Sequence, residues 1–288
     1  MTAIEKYVAP TSLEQAAEYL RGGEVTILAG GTDLMPQSQG GRLQIKRTLM
    51  NIHHIEELKG IAIEDGAIRI GALATITEIM QSKLVQKYLP ILIEACDRFA
   101  SDQIRNAATL GGNICNASPA GDTLVPLIVL DTEVELASKP NGSLARRRLP
   151  LAEFFTGPGK TRCGAAELLA GVRIPLPPAM HYARFFKFGT RPALDISTIS
   201  IAIAGSLKNG ALSNVRVAFG AVAPVPMRAP RTEQALEGTR LDAASIEAIA
   251  GVARDEVTPI DDIRATAWYR KELIHNITKR MLAHVAQA

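Results

Sequence analysis

Apolar positions follow two rhythms along this chain, one of period two and one close to four, and glycines mark where one gives way to the other. Ile4 to Val8 reads as a short strand. "TSLEQAAEYLRGG" then puts Leu13, Ala16, Ala17 and Leu20 on one side at helical spacing. Thr11 and Glu14 fit a capping box at its start, and Gly22 and Gly23 stop it. Val25 to Ala29 is mostly apolar, the pattern of a strand covered on both faces. It ends at the glycine pair of "ILAGGTDLMP", residues 27–36. The first 30 residues therefore predict a βαβ unit that stops at Gly30 and Gly31.

The rhythm then shortens. "KGIAIEDGAIRIGAL" holds two β runs around Asp65-Gly66, a strong hairpin signal. "LVQKYLPILIEACDRFAS" predicts one helix with Leu84, Tyr88, Ile91, Leu92 and Ala95 on one side. A second glycine pair follows in "ATLGGNICNASPAGD", residues 108–122. "TEVELAS", Asn141-Gly142 and "SLARRRLPL" read as another hairpin, and "ELLAGVRIPLPP" as a strand stopped by prolines. Pro175, Pro177 and Pro178 mark a boundary. "ISTISIAIAGSLKNGALSNVRVAFGAV" predicts two long strands joined around Asn209-Gly210, with "PVPMRAP" as a connector. Residues 243–253 and "TAWYRKELIHNITKRMLAHVAQA" read as helices. The pattern is α+β in three parts: an N-terminal βαβ piece, a mainly antiparallel middle, and a C-terminal sheet with helices. No solenoid period is present.

Composition narrows the possible partners. At 288 residues and 47% apolar, the chain can bury a sizeable core. Lys and Arg number 32 against 29 Asp and Glu, a net charge of +3 whose balance does not point to nucleic acid. "RRR" at 146–148 is the one dense run, and it fits a solvated hairpin or a partner contact. Cys96, Cys115 and Cys163 form no CxxC pair, which excludes a zinc site or iron–sulfur cluster of the usual spacing on this chain. The low, odd count fits a reducing compartment. With no signal pattern in "MTAIEKYVAP" and no apolar run of about 18 residues, the expectation is a cytoplasmic protein without a transmembrane segment.

The glycine pairs carry the first candidate chemistry. Backbone N–H groups free of neighbouring β-carbons can converge on an anion, and Thr32, Asp33 and Asn113 add side-chain hydrogen bonds. Alone, either pair is equally a tight turn; two such loops could hold a diphosphate from both sides. Other motifs fail. GxGxxG is absent. "GPGKT", residues 157–161, lacks the P-loop glycine at the position of Phe154 and reads as a turn. His53 and His54 are adjacent, so on a strand they face opposite ways and do not share a metal; they read as strand-end histidines. GxSxG is absent too, and nothing supports a Ser or Cys nucleophile. "KFGTRPALDIS", residues 187–197, spaces Lys187, Arg191 and Asp195 by four, giving either charge stabilisation on a ligand or a surface ion pair.

"LAGGTDLMP", "IRNAATLGGNICNASPAGD", "ELLAGVRIP", "KFGTRPALDISTISIA" and "DIRATAWYRKELI", in this order and spacing, resemble the FAD-binding medium subunits of the molybdenum hydroxylases. That family includes the medium subunits of aerobic carbon monoxide dehydrogenase, N-heteroaromatic hydroxylases and 4-hydroxybenzoyl-CoA reductase, and the flavin domain of xanthine dehydrogenase. The resemblance covers nearly the whole chain. It implies the FAD-binding fold shared with vanillyl-alcohol oxidase: two α/β subdomains, about 1–57 and 58–176, and a C-terminal domain, 177–288, with a three-stranded antiparallel sheet and helices. It implies that Leu28, Ala29, Gly30, Gly31, Thr32 and Asp33 wrap the FAD diphosphate, held from the other loop by Thr109, Gly112 and Asn113. By the same likeness Cys115 lies near the flavin, Asp122 bonds the polar part of FAD, and Leu169 or Ala170 approaches the ring by backbone. Phe99 lies near the adenine end, and Lys187 lies near the flavin, where a cation stabilises negative charge on the reduced cofactor.

The implied role is electron transfer, with no acid–base pair and no metal on this chain. Electrons would come from two 2Fe–2S clusters of a small subunit, fed by a large molybdopterin subunit, and leave FAD for an external acceptor; heterotrimers would pair. The three scattered cysteines and the short length argue against the extra 4Fe–4S loop of 4-hydroxybenzoyl-CoA reductase. "GGTD" differs from the "GGHS" or "GGQS" of some relatives and leaves the subfamily open. Two alternatives are a stand-alone FAD-dependent oxidoreductase of the same fold and a non-catalytic nucleotide-binding assembly subunit.

Overall fold

Three short parallel strands make the first sheet, and the last of them in sequence lies in the middle. Strands β1 (Lys6–Val8) and β2 (Val25–Leu28) both pair with β3 (Thr48–Asn51), in the order β1-β3-β2. The computed structural model describes residues 4–178, 181–191, 193–208 and 210–287. Helix α1 (Leu13–Arg21) joins β1 to β2 and buries the expected Leu13, Ala16, Ala17 and Leu20. Its cap is Ser12, not Thr11: the Ser12 hydroxyl accepts from Gln15 N at 3.2 Å, and Thr11 N instead donates to the Gln15 side chain at 3.0 Å. The strand expected to be covered on both faces is an edge strand and only half-buried along its length. Helix α2 (Leu34–Gln39) follows it.

The middle unit is built on a five-stranded antiparallel sheet. β4 (Ile61–Glu64) and β5 (Ala67–Gly71) form the expected hairpin, with Asp65 at φ 49° and Gly66 at φ 74°, the left-handed pair that a tight hairpin turn requires. Five helices follow: α3 (Ile76–Gln81), α4 (Lys83–Tyr88), α5 (Pro90–Asp97), α6 (Asp102–Ala107) and α7 (Leu110–Asn116). The single helix expected across 84–101 is therefore broken. Leu89 leaves helical geometry (φ −130°, ψ 49°), and Pro90, which lacks an N–H, opens a new helix. The second glycine pair is not a turn; it lies in the first turn of α7. Apolar α8 (Leu124–Val129) is wholly buried.

The sheet then receives β6 (Glu133–Ser138) and β7 (Ala145–Pro150), the second expected hairpin, whose arginines are half-exposed and paired with acids: Arg146 and Arg148 with Glu135, Arg147 with Glu167. After α9 (Leu151–Phe154), "GPGKT" is indeed a turn, between β8 (Phe155–Gly157) and β9 (Lys160–Thr161). Strand β10 (Leu168–Pro175) slots between β5 and β6 and completes the order β4-β5-β10-β6-β7.

The C-terminal sheet has four strands rather than the expected three. β11 (His181–Phe188), β12 (Ile199–Lys208) and β13 (Ala211–Gly220) are joined by two residues of the supposed connector, Met227–Arg228, as β14 beside Ala218 and Phe219. Asn209 of the expected turn lies outside the described residues. On β12, Ile199, Ile201 and Ile203 pack with buried residues of α10 (Pro230–Leu236), α11 (Ala243–Glu256) and α12 (Ala267–Gln287). Ala202 and Ala204, one step out of phase, join the core of the other two units. Period-two alternation of large and small residues thus lets one sheet serve two cores.

Candidate functional site

At the end of β2 the chain leaves the sheet through Ala29 to Asp33 and enters α2. Gly31 sits at φ +69°, a left-handed conformation that favours glycine. Gly30 is needed for space instead. A β-carbon there would run into the carbonyl of Ala107, its carbon at 2.8 Å, and stand 3.2 Å from Ala108 Cα. The two glycine motifs are therefore in backbone contact, the first loop lying on the end of α6. The carbonyls of Gly31 and Asp33 accept from Met35 N (3.1 Å) and Gln37 N (3.0 Å). The N–H groups of Gly30, Gly31, Thr32 and Asp33 donate to no group among the described residues. Four successive free donors at a helix entrance favour an anion.

The second loop differs from the first. Thr109 caps α7, its hydroxyl oxygen accepting from Gly112 N at 3.0 Å. Gly111 N donates to Ala72 O (2.9 Å) and Asn113 N to Thr109 O (3.0 Å). These N–H groups are used within the fold, so this glycine pair is no second backbone cradle. Gly111 is required by packing: a β-carbon would lie 2.7 Å from Ala72 Cβ. What the loop offers is side chains. Asn113 Oδ1 accepts from Thr123 Oγ1 at 2.7 Å, leaving its amide nitrogen to donate. A clamp also joins the loops, since Gln37 Nε2 donates to Asp33 Oδ2 and, at 3.0 Å, to Asn116 Oδ1.

The other expected residues fall around these loops. Leu169 and Ala170 are buried at a bulge of β10, and Ala170 O accepts at 3.1 Å from the N–H of Ala72, the same residue that Gly111 packs on. Cys115 is on the exposed side of α7. Phe99 is half-buried, its carbonyl held by Arg105 Nη1 at 2.7 Å. Asp122, beside Thr123, forms a buried ion pair with Lys187 at 2.7 Å and accepts from Ser197 Oγ at 2.8 Å. Burial pushes the Asp122 carboxyl above its usual range, against the pull of Lys187 and Ser197. Lys187 Nζ also donates to Arg98 O at 2.9 Å, so one of its three hydrogens stays free. Lys187 lines a cleft of about 340 Å³ together with Arg98, Phe188, Thr190, Arg191 and Asp195. Asp195 serves this cleft's wall: it accepts from Thr190 and from Arg191 N at 3.1 Å, while the Arg191 guanidinium stands off at 3.9 Å.

Residues 2–177 match the family model described as the FAD binding domain in molybdopterin dehydrogenase, and residues 184–285 match the CO dehydrogenase flavoprotein C-terminal domain. The chain belongs to the FAD-binding medium subunits of the molybdenum hydroxylases. It is 37% identical over 267 residues to the xanthine dehydrogenase FAD-binding subunit of Escherichia coli O157:H7, covering 92% of this chain and 90% of that one. It is 30% identical to the glyceraldehyde dehydrogenase medium chain of Sulfolobus acidocaldarius, covering 97% and 98%. Its structure superposes on that of carbon monoxide dehydrogenase from Hydrogenophaga pseudoflava with a TM-score of 0.91 at 30% identity, covering 97% of this chain and 96% of that one.

In this medium subunit the sequence points to both loops and to Lys187. It gives no sign of the contacts that fix them. Gln37 stands four residues after Asp33, a spacing that a helix brings together, but its second partner, Asn116, is 79 residues away. Ser197 reaches Asp122 across 75 residues. His53, read as a bland strand-end histidine, places Nε2 2.9 Å from Ala29 O, within the first loop. Among the described residues no group of three or more metal ligands gathers, and no helix is long and apolar enough to cross a membrane.

Proposed function

We propose that this chain binds FAD between its two loops and relays electrons through it, from the 2Fe–2S clusters of a small partner subunit, supplied by a large molybdopterin subunit, to an external acceptor. The observation that carries the reading is the run of four unpartnered N–H groups, Gly30 to Asp33, pressed against the second loop at Ala107. A diphosphate is the anion of FAD that satisfies such donors. FAD, when bound, supplies the redox chemistry.

The residues of this chain bind and tune. Gly30, Gly31, Thr32 and Asp33 take the diphosphate by backbone, after Leu28 and Ala29 bring the chain to it. Thr109, Gly112 and Asn113 close on it by side chain and bare surface. Leu169, Ala170 and Cys115 border the flavin, Phe99 the adenine end. Asp122 holds Lys187, whose free hydrogen and positive charge favour electron density on the ring. The FAD-binding domain is assigned to 1–176, in subdomains of about 1–57 and 58–176, and the second domain to 177–288; the two family matches support this division. We place the assembly in the cytoplasm as paired heterotrimers, a reading that the free Cys96, Cys115 and Cys163 support for the compartment.

The test is a visible absorption spectrum of the protein purified with its native partners, before and after dithionite, with the released flavin identified by chromatography. A bleachable flavin band that yields FAD, over iron–sulfur absorption, is expected. FAD without iron would favour the stand-alone oxidoreductase, and no flavin at all would overturn the proposal.

A further inference from the structure

The turn after β3 wraps round the first loop. Asn51, the last residue of β3, is paired with Leu28 in the sheet. Beyond it Ile52 N donates to Leu28 O at 3.1 Å. His53 N donates to Asn51 Oδ1 at 3.0 Å, and Asn51 Nδ2 in turn donates to Tyr7 OH at 2.8 Å. His53 is thereby fixed by its backbone, and its ring Nε2 reaches Ala29 O at 2.9 Å. A carbonyl oxygen only accepts, so Nε2 carries the hydrogen. Two successive carbonyls, those of Leu28 and Ala29, are thus held by residues 52 and 53.

The consequence lies in the planarity of the peptide. In a trans peptide the C=O of one residue and the N–H of the next point in opposite directions. Fixing Ala29 O therefore fixes the direction of the Gly30 N–H, the first of the four free donors. The following peptide lies between two glycines, where the backbone is most permissive and a peptide plane turns over easily. Nothing else among the described residues accepts from the Gly30 N–H or donates to the Ala29 carbonyl.

We propose that His53 is a positioning residue for the anion-binding loop, its ring holding the Ala29 carbonyl so that the Gly30 N–H stays aimed at the FAD diphosphate. The inference rests on the FAD reading above. His54 has no such partner among the described residues and serves as the internal control.

The experiment uses the chain purified with its partner subunits. FAD appearing in an ultrafiltrate is followed over time for the wild type, His53→Ala, His53→Gln and His54→Ala. A hydrogen bond of this kind corresponds to roughly a three- to tenfold change in release rate. His53→Ala is expected to release FAD faster by that factor. His53→Gln restores an amide N–H at similar reach and is expected to return the rate to that of the wild type, as is His54→Ala. The thermal unfolding of the FAD-free protein should fall slightly for His53→Ala, which loses the same hydrogen bond, and match the wild type for His53→Gln and His54→Ala. Release from His53→Ala at the wild-type rate, or from His53→Gln as fast as from His53→Ala, overturns the positioning role. A wild-type protein that carries no FAD overturns the reading beneath it instead.

Discussion

Gly30 and Ala107 lie in backbone contact across 77 residues of chain, with no room for a single carbon between them. The contact joins the end of a parallel strand to the end of a short helix and thereby fixes where the free N–H groups stand. Gly30→Ala has to push backbone against backbone, since the obstructing atoms are the Ala107 carbonyl and not the tip of a side chain. Overpacking of this kind costs about 1–3 kcal/mol. The variant should unfold several degrees lower and retain less FAD, measured by thermal denaturation and flavin content. Gly22→Ala, at φ −71° with its nearest neighbour an ordinary 3.4 Å away, should differ little from the wild type.

The Asp122–Lys187 pair is buried on both sides, and each partner needs the other. Lys187→Met leaves a buried carboxylate without its counter-charge, at a cost of about 3–5 kcal/mol. The double variant Asp122→Asn, Lys187→Met should lose less than the sum of the two single changes, as read from a urea-unfolding double-mutant cycle.

The same carboxyl makes a definite mark on pH dependence. Burial raises the folded pKa of Asp122 above the value in the unfolded chain. The folded protein therefore binds this proton more tightly, and the contribution of this group to stability falls as pH rises from the unfolded value through the folded one. Asp122→Asn should flatten that fall, seen as a smaller slope of unfolding free energy against pH over the window just above the ordinary carboxylate value.

Glu167 behaves in the opposite sense. Its bonds to Arg147, at 2.6 Å from each oxygen, together with Gly164 N at 2.7 Å, hold its carboxyl below the usual range against the effect of burial. Its stabilisation is present above the unfolded value and is lost as pH falls through the folded one. Arg147→Met should lower stability at neutral pH and lessen the loss on acidification, measured by chemical denaturation at a series of pH values.

Burial pushes the Cys96 thiol up to about 12, and its side chain has no exposed surface. The thiolate is the reactive form. Iodoacetamide at mildly alkaline pH should leave Cys96 unmodified in the native protein and label it after denaturation, with the site read by peptide mass spectrometry.

What the sequence made legible was local. Asp65-Gly66 announces its hairpin because two neighbouring left-handed residues suffice to turn the chain, and α1 announces its buried face because Leu13, Ala16, Ala17 and Leu20 are one turn apart. The likeness of five motifs to one family was likewise visible and identified the family correctly. Relations across the chain were not legible. Nothing near Val25 tells that β2 will end at the edge of its sheet with only Val25 and Ile27 packed on the core, so that a strand expected to be covered twice is half-buried. The glycines at 111 and 112 looked like those at 30 and 31; only the Ala72 carbonyl and the Thr109 hydroxyl, each already taking an N–H, show that one pair presents donors and the other does not. His53 looked inert because its partner, Ala29 O, is a backbone atom 24 residues away that no side-chain pattern encodes.

The central place of β3 bears on synthesis. β1 and β2 leave the ribosome first but have no hydrogen-bonded contact with each other, and neither belongs to a sheet until Thr48–Asn51 arrives between them. The loop at Gly30 then waits for Ala107 to lie on, and Asp122 waits for Lys187. Even the cleft wall is finished late, when Tyr269 brings its ring edge-on to Phe188 at 6.3 Å. A nascent chain therefore carries its first glycine loop unshaped until Ala107 has been made, and the Asp122–Lys187 pair and the cleft wall close only as the later strands and the last helix follow.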